Sequence, residues 1–246
     1  MYLQVSECES TNSLLMGMER RVDYVCADYQ TAGRGQAGNG WESERGMNIL
    51  LSIAVERPKI AVADQFRLSM LFPLVVVETL GLEQLTIKWP NDIYYADRKL
   101  AGILIEHTVD SHGIVFSVLG IGLNVNQMTW QGSAPNPTSL RLITGHEWDR
   151  RALVEQLVEN WQQALPRLQD AAQLHRDYMA RLYRREGIWP YLEREVSTVP
   201  TMNAEPNAVG QFMARIKDVL PSGEILLEDE QGKERKYHFK QVRYVV

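Results

Sequence analysis

Residues 33–40 read Gly-Arg-Gly-Gln-Ala-Gly-Asn-Gly, and Trp41 follows. Each glycine loses more backbone entropy on ordering than any other residue, so this stretch predicts neither a stable helix nor a stable strand. It can close backbone N–H groups over an anion, with the ligand offsetting the cost of ordering. A second group, Lys88-Trp89-Pro90-Asn91-Asp92, puts a lysine at the end of an apolar strand beside aromatic and proline bulk. Such an ammonium can polarise a carboxylate and a phosphate together. Asn91 and Asp92 would orient it or help hold magnesium. A third group runs from Lys99 to Glu106, with Gly102 at the start of an apolar strand, where a ligand can lie against backbone. The fourth is Gly120-Ile121-Gly122-Leu123-Asn124-Val125-Asn126, a strand end whose amides can meet a nucleotide.

Each group has a plainer reading. Gly33-x-Gly35-x-x-Gly38 fits the dinucleotide fingerprint in form, but the helix that must open after the glycines is missing, since Asn39-Gly40-Trp41-Glu42-Ser43 is poor helix material. A flexible surface loop would carry glycine without function. Pro-Asn-Asp is good turn chemistry, and Gly102 alone reads equally as a bend or bulge. The chain has no Gly-x-Ser-x-Gly elbow and no Walker A pattern. His107, His112, His146, His175 and His238 lack zinc spacing. No protein nucleophile presents itself, so the chemistry suggested is one in which two bound substrates react with each other.

Elements must bring these groups together. The chain has 246 residues, 45% hydrophobic and 23% charged, with net charge −5. That is globular composition, long enough for a large domain plus a small one. The acidic balance disfavours generic nucleic-acid binding. Cys8 and Cys26 make no disulfide framework. The apolar run at 70–77 is too short to span a bilayer, and Glu7 and Glu9 stand where a signal peptide would be apolar. A cytoplasmic protein without a membrane partner is the expectation. Ser10-Thr11-Asn12-Ser13 caps a helical run. Strands are expected at 22–27, 48–55 and 85–89, with a hairpin of 99–107 and 114–123. Helices are expected at 63–80, where Pro73 is a kink point, and at 153–185, broken at Pro166. A linker-like tract covers 202–210. Short strands at 211–219, 224–228, 235–239 and 242–246 then read as a small β-barrel.

Taken in order, the four groups resemble the biotin–protein ligases, from about residue 10 to residue 126. The resemblance implies an α/β catalytic domain of mixed sheet, like the class II aminoacyl-tRNA synthetases, at 1–190, and a small SH3-like β-barrel at 191–246. It implies that ATP and biotin, with Mg2+, give biotinyl-5′-AMP, and that a lysine of a biotin carboxyl carrier domain then takes the biotinyl group. By position, Ser10, Thr11, Asn12 and Gln30 would meet the biotin head. Gly33, Arg34, Gly35, Gln36 and Gly102 complete the biotin set, with the loop folding over the adenylate. Lys88 would bridge the biotin carboxyl and the α-phosphate, with Arg34 as the second catalytic cation. Trp41, Asn91, Asp92 and Asn124, with Arg34 and Lys88, form the ATP set. No metal ion is expected to be fixed by the protein alone; Mg2+ would come with ATP, near Asp92.

Two departures stand out. Gln36, Ala37 and Asn39 replace basic residues common in the family's loop, which predicts weaker grip on an anionic intermediate. The chain also starts almost at the Ser10 motif, without the helix-turn-helix domain of bifunctional relatives, so no DNA partner is expected. An exposed strand edge leaves room for a homodimer. Rival readings are a lipoate– or octanoate–protein ligase, whose Arg-Arg-x-x-Gly-Gly-Gly-x-Val stretch is missing, and a non-catalytic biotin-binding regulator. The terminal strands mix Lys233, Arg235, Lys236, Lys240 and Arg243 with Glu224, Glu228, Asp229, Glu230 and Glu234. That reads as solvated surface rather than a phosphate track.

Overall fold

The computed structural model describes residues 1–18, 22–132, 136–195 and 207–245. The first sheet is made of β1 (Tyr2–Val5), β2 (Tyr24–Ala27), β3 (Ile49–Glu56), β4 (Leu85–Lys88), β5 (Asp92–Tyr95), β6 (Arg98–Asp110) and β7 (Gly113–Leu123). Their order is β1-β2-β3-β7-β6-β5-β4. Only the β1–β2 pair is parallel; the others are antiparallel, so the sheet is mixed. β6 and β7 are the expected hairpin, in register from Ala101↔Leu123 and closed by Asp110↔Gly113. Gly102 therefore faces Gly122 across the ladder, and Leu104 faces Gly120.

α1 (Thr11–Met16) begins at the Ser10 cap, as its Ser-Thr-Asn-Ser sequence predicts. α2 (Phe66–Leu80) carries Pro73 inside it and stops at Gly81, whose φ of 64° suits glycine. Burial of most of its side chains against the sheet outweighs the lost backbone bond at Pro73. α3 (Leu140–Thr144) is short. The helical stretch expected over 153–185 is two helices, α4 (Arg150–Ala164) and α5 (Ala171–Ala180), separated by a 3-10 turn over Leu165–Gln169 that holds Pro166. Among the described residues no helix is long and apolar enough to cross a membrane.

The second sheet consists of β8 (Trp189–Glu195), β9 (Asn207–Val219), β10 (Ile225–Asp229), β11 (Glu234–Tyr237) and β12 (Val242–Tyr244), in the order β11-β10-β9-β8-β12 and antiparallel throughout. Of the linker expected at 202–210, residues 202–206 lie outside the described residues, and 207–210 belong to β9.

The two sheets share one hydrophobic core. A single buried cluster runs from Leu51 and Ile87 through Tyr178 and Tyr191 to Ile216 and Tyr244. At the seam, Trp89 Nε1 donates to Gly223 O at 2.9 Å, and the Phe239 ring packs 5.3 Å from Trp89 and 6.2 Å from Phe66. The Trp-Pro pair after Lys88, which a turn alone would not need, is thus what the second sheet grips. An apolar seam of this kind holds two units as one body.

Candidate functional site

A cleft of about 610 Å³ lies on the β6–β7 hairpin, between the glycine loop and the second sheet. One end is neutral and dense with hydrogen bonds. Thr11 N and Thr11 Oγ1 donate to Gln30 Oε1, at 2.7 and 3.0 Å. Asn12 Nδ2 donates to Glu106 Oε2 at 2.8 Å and to Leu104 O at 3.2 Å. Ser52 Oγ lies 2.7 Å from Thr11 Oγ1 and 2.6 Å from Asn12 Oδ1. Asn12 Oδ1 carries no hydrogen, so Ser52 donates to it, and Thr11 shares its one hydroxyl proton between Gln30 and Ser52. Ser10 commits its hydroxyl to capping α1 at Ser13 N. These side chains are held before any ligand arrives, which lowers the cost of recognising a polar head group.

The glycine loop forms neither an α-helix nor a strand, yet it is ordered. It doubles back on itself: Trp41 N donates to Gly33 O at 2.9 Å, Gly35 N to Asn39 O at 2.6 Å, and a 3-10 turn covers Gln36–Gly38. Gly38, at φ 88°, makes the reversal. Arg34 Nη2 is tied to Ser13 Oγ at 3.0 Å and to the Glu106 carboxylate at 3.1 and 3.2 Å. The indole of Trp41 lies over the paired glycines of the hairpin. A Cβ at Gly102 would come within 3.0 Å of the Trp41 ring, and one at Gly122 would run into it. The glycines there make room for Trp41 as much as for a ligand. The Trp41 Nε1 is buried without a protein partner.

The other end is cationic. β4 and β5 pair Lys88 with Asp92 across the turn that holds Trp89, Pro90 and Asn91. Lys88 Nζ donates to Tyr94 Oη at 3.1 Å and stands 4.7 Å from the Tyr94 ring centre and 5.3 Å from that of Tyr244. Burial pushes the Lys88 ammonium down to about 8; Asp92 opposes this, and Lys99, Arg184 and Arg243 reinforce it. Asp92 is itself occupied by Lys99, at 2.7 Å. Lys99 Nζ in turn lies 5.7 Å from the Trp41 ring centre. Asn91 braces the turn on β6, donating to Ile103 O at 2.6 Å. Among the described residues no three His, Cys, Asp or Glu side chains group to hold a metal ion, and Asp92 faces an ammonium.

The second sheet completes this end with Arg194, Phe239, Lys240, Val242, Arg243 and Tyr244. Here the structure corrects the reading of the terminal strands. Arg235 and Lys236 do sit in a mixed, ion-paired surface, with Asp229 and Glu224. Lys240 and Arg243 leave it and line the cleft.

The structure thus gathers Ser10, Thr11, Asn12, Gln30, Arg34, Gly35, Gln36, Trp41, Lys88, Asn91, Asp92 and Gly102 around one cavity. Gly33 stands behind the loop, against Trp41 and Gln30. Asn124 does not line this cleft. It is buried; its Nδ2 donates to Thr138 O at 2.9 Å and its backbone N–H reaches Leu100 O, while its Oδ1 has no partner among the described residues. Sequence reasoning gave no role to Ser52, Tyr94, Lys99 or Glu106. Two of these left a signal. Ser52 is the one polar residue inside the apolar stretch 49–55, and Glu106 shares the Gly102 face of β6 at period two.

The family model described as Biotin/lipoate A/B protein ligase family matches residues 9–126. The chain is 34% identical over 193 residues to the bifunctional ligase/repressor BirA of Escherichia coli K12, over 76% of this chain and 55% of that protein. It therefore spans little more than half the length of that relative. Identity is 32% over 189 residues with the biotin–[acetyl-CoA-carboxylase] ligase of Mycobacterium tuberculosis, over 72% of this chain and 69% of that one. In fold it is similar to the biotin protein ligase from Aquifex aeolicus, solved in complex with biotin and ATP, with TM-score 0.78 over 99% of each chain at 21% identity.

Proposed function

The chain belongs to the biotin protein ligase family, and we propose that it activates biotin with ATP and passes the biotinyl group to a lysine of a biotin carboxyl carrier domain, such as that of acetyl-CoA carboxylase. The observation that carries this reading is the division of one cleft. In a chain of net charge −5, six cations (Arg34, Lys88, Lys99, Arg194, Lys240 and Arg243) line the cavity, and among the described residues Asp92 is its only acidic lining residue. Such focusing suits a polyanion. The neutral end offers amides and hydroxyls from Thr11, Asn12 and Gln30. A ureido ring can exchange hydrogen bonds with that mixture of donors and acceptors, which a dithiolane or an alkyl tail cannot do.

In this reading biotin lies with its head at Thr11, Asn12 and Gln30 and its carboxylate toward Lys88. The carboxylate oxygen attacks the α-phosphate of ATP; biotinyl-5′-AMP forms and pyrophosphate leaves. Lys88, charged and poorly hydrated, stabilises the negative charge that builds on the phosphoryl oxygens. Arg34, with Gly35, Gln36 and Trp41, closes over the adenylate. The acceptor amine then attacks the mixed anhydride, and AMP departs. Magnesium would come with the ATP phosphates, near Asp92. We read the first sheet with its helices as class II synthetase-like and the second sheet as SH3-like, acting in the cytoplasm.

The test is adenylate formation by mass spectrometry, with ATP, magnesium and biotin, lipoate or octanoate in turn. Biotinyl-AMP from biotin alone is expected. Lipoyl- or octanoyl-AMP would move the chain to the sister activity, and no adenylate would make it a binding protein.

A further inference from the structure

Lys88 is held from both sheets. Tyr94, on β5 of the first sheet, accepts its hydrogen bond and presents its ring. Tyr244, on β12 of the second sheet, presents a ring from another direction at 5.3 Å. Tyr183 bridges the two, with ring centres 5.3 Å from Tyr94 and 5.8 Å from Tyr244, and is anchored by its hydroxyl to Asp97 at 2.5 Å. Tyr191 backs Tyr244 at 5.0 Å. The Tyr244 hydroxyl is buried and has no partner among the described residues. A tyrosine kept for its hydroxyl would have one, so the ring is the part in use here.

We propose that Tyr94 and Tyr244 form a two-sheet aromatic clamp that positions the Lys88 ammonium, making Tyr244 a positioning residue through which the second sheet acts on the reaction. The inference rests on the reading of Lys88 as the catalytic cation. Two π-faces give a desolvated ammonium directional stabilisation that a surface lysine lacks. The rings themselves carry no net charge, and Asp92, the carboxylate facing Lys88, is ion-paired with Lys99 at 2.7 Å, so the ammonium charge stays available for substrate oxygens. Burial holds both phenols above their ordinary value, so they remain neutral beside it. The charged and titratable groups facing Lys88 are Asp92 and Lys99 from the first sheet, Tyr183 and Arg184 from the segment after α5, and Arg243 from the second sheet.

The experiment uses the full chain and reads Lys88 directly. The pH dependence of trace acetylation at Lys88, followed by mass spectrometry, gives its titration midpoint without reference to activity. Tyr244→Leu keeps the site apolar and removes the ring. Its Lys88 midpoint falls by half a unit or more, and kcat for adenylation falls roughly tenfold at neutral pH, with the KM for biotin unchanged. Tyr244→Phe keeps the ring and returns the midpoint to the wild-type value. If Tyr244→Leu fails to fold, Tyr94→Phe removes only the hydrogen-bond acceptor and lowers the midpoint in the same direction. An unmoved midpoint in the folded variants overturns the clamp. A normal adenylation rate in Lys88→Ala overturns the catalytic reading instead, and the midpoint still judges the clamp.

Discussion

Gly120→Ala adds one methyl group to an ordinary extended strand, yet it should be among the most damaging small changes in this chain. Gly120 carries no positive φ, so alanine brings no backbone strain and even stabilises by about 0.5 kcal/mol through the unfolded state. Its Cβ, however, would lie 2.8 Å from Asn12 Cγ and 3.0 Å from Asn12 Nδ2. Asn12 is buried and cannot swing away freely, because Ser52 donates to its Oδ1 and its Nδ2 donates to Glu106 and Leu104 O. Displacing it gives up two neutral hydrogen bonds and one to a carboxylate, about 3 kcal/mol together. The net cost of Gly120→Ala is therefore about 2.5 kcal/mol. Asn12→Ala alone loses the same bonds, but Glu106 keeps Arg34 and Ser52 keeps Thr11. In that background the methyl at 120 fills vacated space and only the gain of about 0.5 kcal/mol through the unfolded state remains. The four proteins of the cycle, unfolded in urea, should thus show a coupling of about 3 kcal/mol, at the top of the range for residues in contact. Biotin KM should rise in both single variants. Equal costs of Gly120→Ala in the two backgrounds would show that Asn12 is not what the glycine accommodates.

The rate of adenylate formation should fall on the alkaline side with a midpoint near 8, since Lys88 goes from roughly nine-tenths charged at pH 7 to one-tenth at pH 9; a midpoint near 10 in a pH–rate profile would contradict its burial. The same depression has a stability consequence of definite sign. Between about 8 and 10.5 the unfolded chain binds the extra proton, so stability rises with pH there, and the full penalty applies below 8. Lys88→Met should accordingly stabilise by about 3 kcal/mol at pH 7, with the gain shrinking toward pH 10 in urea titrations. Trp89→Phe removes the donor to Gly223 O across the seam and should cost about 1–2 kcal/mol of unfolding free energy while sparing the ring packing with Phe239. Gly122→Ala should expel the Trp41 indole from the hairpin, seen as red-shifted, more quenchable emission that disappears in a Trp41→Phe background.

The parts of this molecule that a sequence exposes are those whose local chemistry dictates a local answer. Ser10 before an apolar helical run is a cap signal, and the apolar runs 99–107 and 114–123 joined by Asp-Ser-His-Gly read as a hairpin. Lys88 followed by Trp-Pro likewise declares a strand end. What stayed hidden is set by partners far along the chain. β5 is four residues long and starts at an aspartate, so only its pairing with β4 and β6 makes it a strand. Asn124 follows a glycine-rich strand end, and nothing local shows that its Nδ2 reaches Thr138 O, fourteen residues on. The largest gap lies in the second sheet. Lys240, Arg243 and Tyr244 sit in a stretch whose charges cancel on paper, and no local pattern says which of its faces meets the first sheet. The seam decides it: Trp89 and Phe66 hold Gly223 and Phe239, and that contact turns β12 toward Lys88. The loop, which carries Gln36 and Asn39 rather than further cations, faces Lys240 and Arg243 across the same cleft. The electrostatics of the cleft belong to the assembled pair of sheets, so a chain reading that treats the terminal strands as a separate module must miss Arg194, Lys240 and Arg243, half of its cationic lining.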